Sequence, residues 1–221
     1  MEFVKTTVEI AGLKIMEPVT AATDLLVSIV CLYAFFKLKN TKNSSPTVRL
    51  FTYYFLTMSL ATLYGGLIGH AFLYLLTFSW KVPGWLISMA SVALIERAAI
   101  SHAQPLLKPS IGKFFATLNI VELLTLTTVV LLTLNFFFVE AHAAYGLLIV
   151  VFSFELYVYR KTKAEGSRLL LLAVCISAIA ATIHLTQLTI DAWFNHLDFS
   201  HILMAIAAYV FYLGAKRINE T

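Results

Sequence analysis

MEPVTAATDLLVSIVCLYAFFKL, residues 16–38, is the stretch that decides the fold. It is long enough to cross a bilayer, because a spanning helix needs about 20 predominantly apolar residues. Pro18 opens it at the first turn, where a proline is tolerated. Lys37 and Lys39 close it with charge. Residues 1–15 carry Glu2, Lys5, Glu9 and Lys14 and lack a continuous apolar core, so they do not read as a cleavable signal peptide. The first helix is therefore expected to serve as the insertion signal. Ahead of it, Val8 and Ile10 alternate with Thr7 and Glu9, a short strand pattern.

Working outward, further apolar stretches fall at roughly 49–78, 83–104, 113–137, 139–160, 167–192 and 198–216. Of the 221 residues 60% are hydrophobic and 13% are charged, against about half and a quarter in soluble domains. The expectation is one all-α domain over residues 1–221, a seven-helix transmembrane bundle and a multi-pass integral protein of a plasma or inner membrane. The turn Asn40–Pro46, Pro83, Pro105 and Gly166 punctuate the helices. No internal repeat or soluble domain interrupts them.

The net charge of +4 is not a nucleic-acid signal, because the basic residues flank the helices. Lys37, Lys39, Lys42, Arg49, Lys108, Lys113, Arg160, Lys161, Lys163, Arg168, Lys216 and Arg217 fall on one face, and Lys5, Lys14 and Lys81 on the other. Positive residues favour the cytoplasmic side. The bias predicts an outside amino terminus and a cytoplasmic carboxyl terminus, which requires an odd number of spans. Cys31 and Cys175 both lie within helices and form no disulfide framework. The sequons Asn43-Ser44-Ser45 and Asn219-Glu220-Thr221 fall on the cytoplasmic side and read as chance matches.

Ionisable groups inside a membrane segment are costly and mark functional sites by default. Here they converge toward the outer face. Glu17, Thr20, Asp24 and Ser28 recur at spacings of three and four on one face of the first helix. Asp24 falls roughly 10 Å deeper than Glu17 at 1.5 Å per residue. Glu17 also reads as a helix N-cap beside Pro18. His70 shares a face of the second helix with Gly66 and Thr62. His184, Gln187 and Asp191 share a face of the sixth. Between the sixth and seventh helices, Asn195-His196-Leu197-Asp198-Phe199-Ser200-His201 holds the densest set of ligand-type side chains. An N-cap role would explain Asp198 but not His201.

Imidazole and carboxylate are the ligand set of a zinc-like metal. The candidate metal ligands are His70, His184, His196, Asp198 and His201. Asp24 and Glu17 are candidates for general base or for orienting an imidazole. Glu140 and His142 are expected at an exposed interface, as is His102. Deeper, Arg97 is expected to pair with Glu122 or Glu155 and lock helices together, or else Glu96, Glu122 and Glu155 form a proton path. Trp80, Trp85 and Trp193 read as interfacial anchors.

The layout resembles the superfamily of seven-helix membrane metal hydrolases that includes alkaline ceramidases and adiponectin receptors. His70 matches the zinc-binding histidine that those proteins carry in helix two. His201 matches one of the two that they space as HxxxH at the start of helix seven, and the segment His196 to Gly214 has the family look. The sequence also departs from the pattern. Gly66 stands where the family has a serine, helix three offers Glu96 and no aspartate, and positions 197 and 205 are Leu and Ala. Asp198 or His196 would have to replace the missing histidine.

The resemblance implies a zinc-dependent hydrolase of a lipid amide or ester drawn sideways from the membrane. A different class uses the same residues: a proton- or metal-ion-responsive transporter, channel or sensor. A retinal-type photoreceptor is excluded by the lack of a mid-membrane lysine in the seventh helix, since Lys216 lies at its end.

Overall fold

A computed structural model describes residues 5–41 and 45–220. Glu2, Lys42 and the two sequons lie wholly or partly outside the described residues. The alternating segment ahead of the first helix forms a hairpin, β1 (Thr7–Ile10) paired antiparallel with β2 (Leu13–Met16). Its two-residue turn, Ala11 and Gly12, has φ of 53° and 79°. Positive φ at both positions is what a tight hairpin turn requires.

Seven helical elements follow. They are α1 (Pro18–Lys39), α2 (Pro46–Tyr64), α3 (Val82–Ala103), α4 (Pro109–Thr133), α5 (Phe137–Thr162), α6 (Glu165–Thr186) and α7 (His196–Glu220). Prolines at the first turn open α1, α2, α3 and α4. Ser45 caps α2 by accepting from the Val48 N–H at 3.3 Å. α2 runs on as a π-helical turn, Gly65–Ala71, and α5 contains another, Tyr145–Val151. Among the described residues six helices are long and apolar enough to cross a membrane. α2 is not among them, because Arg49 and its threonines, serine and tyrosines dilute it.

Two expected ends are corrected. The second helical run stops at Ala71, not near 78, and the sixth stops at Thr186, not near 192. Phe72 leaves helical geometry, and Gln187 takes a left-handed conformation with φ 52°. The apolar residues beyond each end misled the hydropathy reading. Asp191 therefore does not share a helix face with His184. Its carboxylate accepts the Trp193 and Phe194 N–H groups at 2.7 and 2.8 Å and shapes the connection into α7.

The helices close a ring: α1 packs on α2 and α7, α2 on α3, α3 on α5, α5 on α6, and α6 on α7. α4 lies against α3 and α5 and turns Leu124 and Leu132 outward. Lipid is as apolar as leucine, so close packing rather than hydrophobic expulsion joins such helices. α6 and α7 accordingly meet at Gly166 and Gly214, where an added Cβ on Gly214 would lie 2.7 Å from Leu170. Val27, Cys31, Phe51, Phe55, Ile95, Ile100 and Phe211 fill the shared core. Cys31 is buried and Cys175 exposed, and both are free thiols.

Candidate functional site

The helical spacing of Glu17, Thr20, Asp24 and Ser28 turns all four inward. Thr20, Asp24 and Ser28 are buried, and the Glu17 side chain is only 12% exposed. α2 can reach this face because it presents glycine there. A Cβ on Gly66 would lie 3.0 Å from both the Ala21 carbonyl oxygen and Asp24 Cβ, and one on Gly65 would lie 3.4 Å from Asp24 Oδ2. The serine that the resemblance places at Gly66 would strain this contact. Ser28 hydrogen-bonds Ser59 one turn deeper, at 3.0 Å between hydroxyls, and fixes the register of α1 on α2.

His70 lies in the π-helical turn that ends α2. Such turns often occur at functional positions. Its Nδ1 is 3.3 Å from Glu17 Oε2, and its Nε2 is 3.8 Å from Asp24 Oδ2. His201, one turn into α7, approaches from the other side, with Nε2 3.5 Å from Asp24 Oδ1. The two rings are 6.3 Å apart between centroids. Histidines from the second and seventh helices thus meet across one aspartate of the first.

The hydrogen bonds assign the ring protons. Glu17 accepts from Lys5 at 3.2 Å, so it faces His70 as a carboxylate, and His70 Nδ1 is the donor. The Thr23 hydroxyl donates to the Thr20 carbonyl at 3.0 Å, so its oxygen accepts from His201 Nδ1 at 3.1 Å. Both imidazoles give their N–H away from the centre. As neutral imidazoles protonated on Nδ1, both rings would then turn an Nε2 lone pair toward an oxygen of Asp24, at 3.8 and 3.5 Å.

Glu17 departs from its expected cap role. It stands at the N-cap of α1 with φ 44° and makes no side-chain cap bond. Its side chain serves Lys5 and His70 instead. A left-handed non-glycine residue is a strained position of the kind that clusters at functional sites. Burial works to raise the Glu17 pKa, but the hydrogen bonds and charges of His70 and Lys5 outweigh it and hold it at about 2, against an ordinary 4.5. A depressed carboxyl stabilises the fold fully above its unfolded pKa and loses that stability as pH falls toward the folded value. Acidification from about pH 5 toward pH 2 should therefore cost on the order of 2–3 kcal/mol through this group. Denaturation of the detergent-solubilised protein across that range should show the loss, and Glu17→Gln should lack this share of it. Identical slopes for the two proteins would contradict the assignment.

The remaining candidates are placed as follows. His184 Nε2 bonds Glu140 Oε1 at 2.7 Å, and its ring lies 5.4 Å from that of His196. His196 Nδ1 is 3.5 Å from the Thr189 hydroxyl. Asp198 is fully buried and accepts the Asn195 N–H at 2.8 Å, while Asn195 accepts the Leu197 N–H at 2.8 Å. Asp198 thus makes the back half of a capping box, while the Asn195 side chain caps the Leu197 N–H in place of Asp198's own. The other oxygen, Oδ1, is buried without a hydrogen-bond partner. Asp198 stands close enough to Asp24 for their charges to interact.

Deeper in the bundle, three expectations are corrected. His142 is not interfacial but wholly buried, with Nδ1 2.7 Å from Glu122 Oε1. His102 bonds both oxygens of buried Glu155, at 3.0 and 3.1 Å. Arg97 makes no ion pair among the described residues; histidines take both of its expected partners. Each of these pairs joins two helices. The exposed Trp80 and Trp193 stand at the hairpin end, as interfacial anchors would.

The chain belongs to a family of unknown function, DUF6962, whose model matches residues 19–220. The match runs from the first turn of α1 to the end of α7 and so takes in Asp24, His70 and His201. No curated protein and no solved structure matches the chain.

Proposed function

We propose that the cluster at the hairpin end is the divalent-metal centre of a membrane hydrolase that cleaves a lipid amide or ester. The convergence of His70 Nε2 and His201 Nε2 on the two oxygens of Asp24, at 3.8 and 3.5 Å, carries this reading. Facing lone pairs repel unless a cation lies among them, and a buried acceptor left unpaired costs about 1–3 kcal/mol. Asp24 and Asp198 together bring two negative charges, which a divalent ion balances. The donor set of imidazole and carboxylate suits zinc.

His70, His201 and Asp24 would hold the metal. Glu17 and Thr23 fix the ring orientations through the Nδ1 bonds, as outer partners of metal-bound histidines do. When bound, zinc supplies Lewis acidity and lowers the pKa of water from 15.7 to roughly 7. Asp198 Oδ1 is the carboxylate oxygen left free to take a proton from the attacking water. It stays in place because Oδ2 is tied to the start of α7. His70 and His201 are 17% and 13% exposed, so the centre is shielded but reachable.

Amphipathic molecules present their polar bonds at the depth where interfacial tryptophans sit, with acyl chains in the hydrocarbon. A lipid amide or ester is therefore the natural substrate, in keeping with the resemblance to alkaline ceramidases and adiponectin receptors. In this reading the chain crosses the membrane seven times with the hairpin outside, the arrangement its flanking charges favour.

The test is fatty-acid release from N-acyl and O-acyl lipids by purified protein in lipid. Release should be chelator-sensitive. Asp198→Asn, which keeps the cap acceptor, should retain zinc while the turnover rate falls about 10²–10⁴-fold. Release from neither lipid class by zinc-loaded protein would end the hydrolase reading.

A further inference from the structure

Halfway through the bundle, α3, α4 and α5 bring Glu96, Glu122 and His142 together. One ligand atom from each lies within 4.8 Å of the other two. Glu96 and His142 are wholly buried, and the Glu122 side chain is 13% exposed. We propose that these three side chains form a second divalent-metal site, separate from the one at the hairpin end and independent of the hydrolase reading.

Four observations carry the assignment. First, His142 is held as a metal-ligating histidine is held. Its Nε2 donates to the Met89 carbonyl at 2.9 Å, and its Nδ1 shares a proton with Glu122 at 2.7 Å, the position a metal would take over from that proton. A backbone carbonyl on the far nitrogen is the usual outer partner of a metal-bound imidazole. Second, each carboxylate keeps an oxygen with no hydrogen-bond partner: Glu96 Oε1 and Glu122 Oε2 are both buried. Buried polar atoms are nearly always satisfied, so two orphans in one cluster call for a missing group. Third, Glu96 is positioned from the far side. Asn119 donates to its Oε2 at 3.1 Å and to the Ala93 carbonyl at 3.2 Å, which leaves Oε1 as the free ligand atom. Fourth, the chain leaves room for it. Gly146, one turn beyond His142 on α5, presents no side chain, and a Cβ there would lie 2.5 Å from Glu96 Oε1.

The charge balance fits a divalent ion. Two carboxylates bring two negative charges into the middle of the bundle, where no arginine or lysine meets them among the described residues. One divalent cation neutralises both. The mixed nitrogen and oxygen donors suit zinc, iron(II) or manganese(II) more than calcium or magnesium.

The two sites differ in the nitrogen they use, which makes the proposal testable apart from the other. The deep site takes His142 through Nδ1, whereas the site at the hairpin end takes His70 and His201 through Nε2. The experiment titrates zinc into apo protein and measures metal per chain by elemental analysis, alongside ¹⁵N NMR of the imidazole nitrogens. Asp24→Asn should remove the site at the hairpin end and leave one equivalent, with one imidazole coordinated through Nδ1. Adding the isosteric Glu96→Gln or Glu122→Gln should then lower zinc affinity more than tenfold and abolish that Nδ1 signal. If Asp24→Asn protein binds no zinc, or zinc coordinates imidazoles through Nε2 alone, the deep site is overturned. Both readouts need no change to Glu96, Glu122 or His142, so a misfolded double variant would not shield the proposal. Loss of zinc from the hairpin end alone would overturn the proposed hydrolase centre and leave this one standing.

Discussion

Replacing Asp24 with asparagine should lower zinc affinity at the hairpin end by more than about 100-fold, since partners that merely orient a ligand already cost 10–100-fold when lost. The same substitution should raise, not lower, the stability of the metal-free protein. Asp24 without a cation faces two imidazole lone pairs at 3.8 and 3.5 Å. The asparagine amide would give one of them a hydrogen-bond donor and remove a buried charge. Wild type should be stabilised by zinc, by roughly 2.7 kcal/mol at a hundredfold excess over the dissociation constant. Asp24→Asn should lose the share of that increment owed to the hairpin end and keep only what the deep site contributes. A structural aspartate would behave in the opposite way: the metal-free variant would melt earlier and zinc would matter to neither protein. Thermal denaturation with and without zinc separates the two outcomes.

The second large effect is expected at Gly66. α1 and α2 touch through this residue, with its position for a Cβ only 3.0 Å from the Ala21 carbonyl oxygen and Asp24 Cβ. Gly66→Leu cannot be accommodated by a flexible side-chain tip, because one of the obstructing atoms is backbone. The helices must separate, which moves His70 away from Asp24 and Glu17. Overpacking of this kind costs about 1–3 kcal/mol, occasionally more. The variant should therefore lose both stability and zinc binding at the hairpin end, whereas Gly69→Ala, where an added Cβ meets nothing within 4 Å, should lose neither. Equal behaviour of the two variants in a zinc-dependent melting assay would contradict the geometry.

The residues make clear why some of this was legible in advance. Apolar stretches of spanning length located six of the helices, α2 being too polar to qualify, and a three-and-four spacing put Glu17, Thr20, Asp24 and Ser28 on one buried face. His70 and His201 stood at the same depth on helices that both pack against α1. The partners of the deeper groups were not legible. Glu122 could pair with Arg97 or His142, and the choice depends on how α3, α4 and α5 are rotated and offset, which hydropathy does not encode. His142 looked interfacial because it lies near the start of α5, yet α5 places it against Met89 and Glu122 inside the bundle. The ends of α2 and α6 were missed because apolar residues continue past them without a proline or glycine to mark the stop. Asp198 is a case where the signal was present: its place at the start of a helix, three residues after Asn195, marks a capping side chain, and its Oδ2 accepts the Asn195 N–H.

The six histidines also fall into a pattern that bears on folding. His70, His102, His142, His184 and His201 each stand against a carboxylate of another helix. Within lipid, polar contacts between helices contribute about 0.6–2 kcal/mol each. Pairs that fix helix rotation in this way account for His102 and His184 without any ligand. They account less well for the centre around Asp24, where two imidazoles meet the same carboxylate at 3.8 and 3.5 Å.

The most direct test is an anomalous-difference map from crystals of the protein grown with zinc. The account predicts a peak among His70, His201 and Asp24, about 2.0–2.1 Å from both Nε2 atoms. A map from zinc-saturated crystals with no peak between those two rings would contradict it.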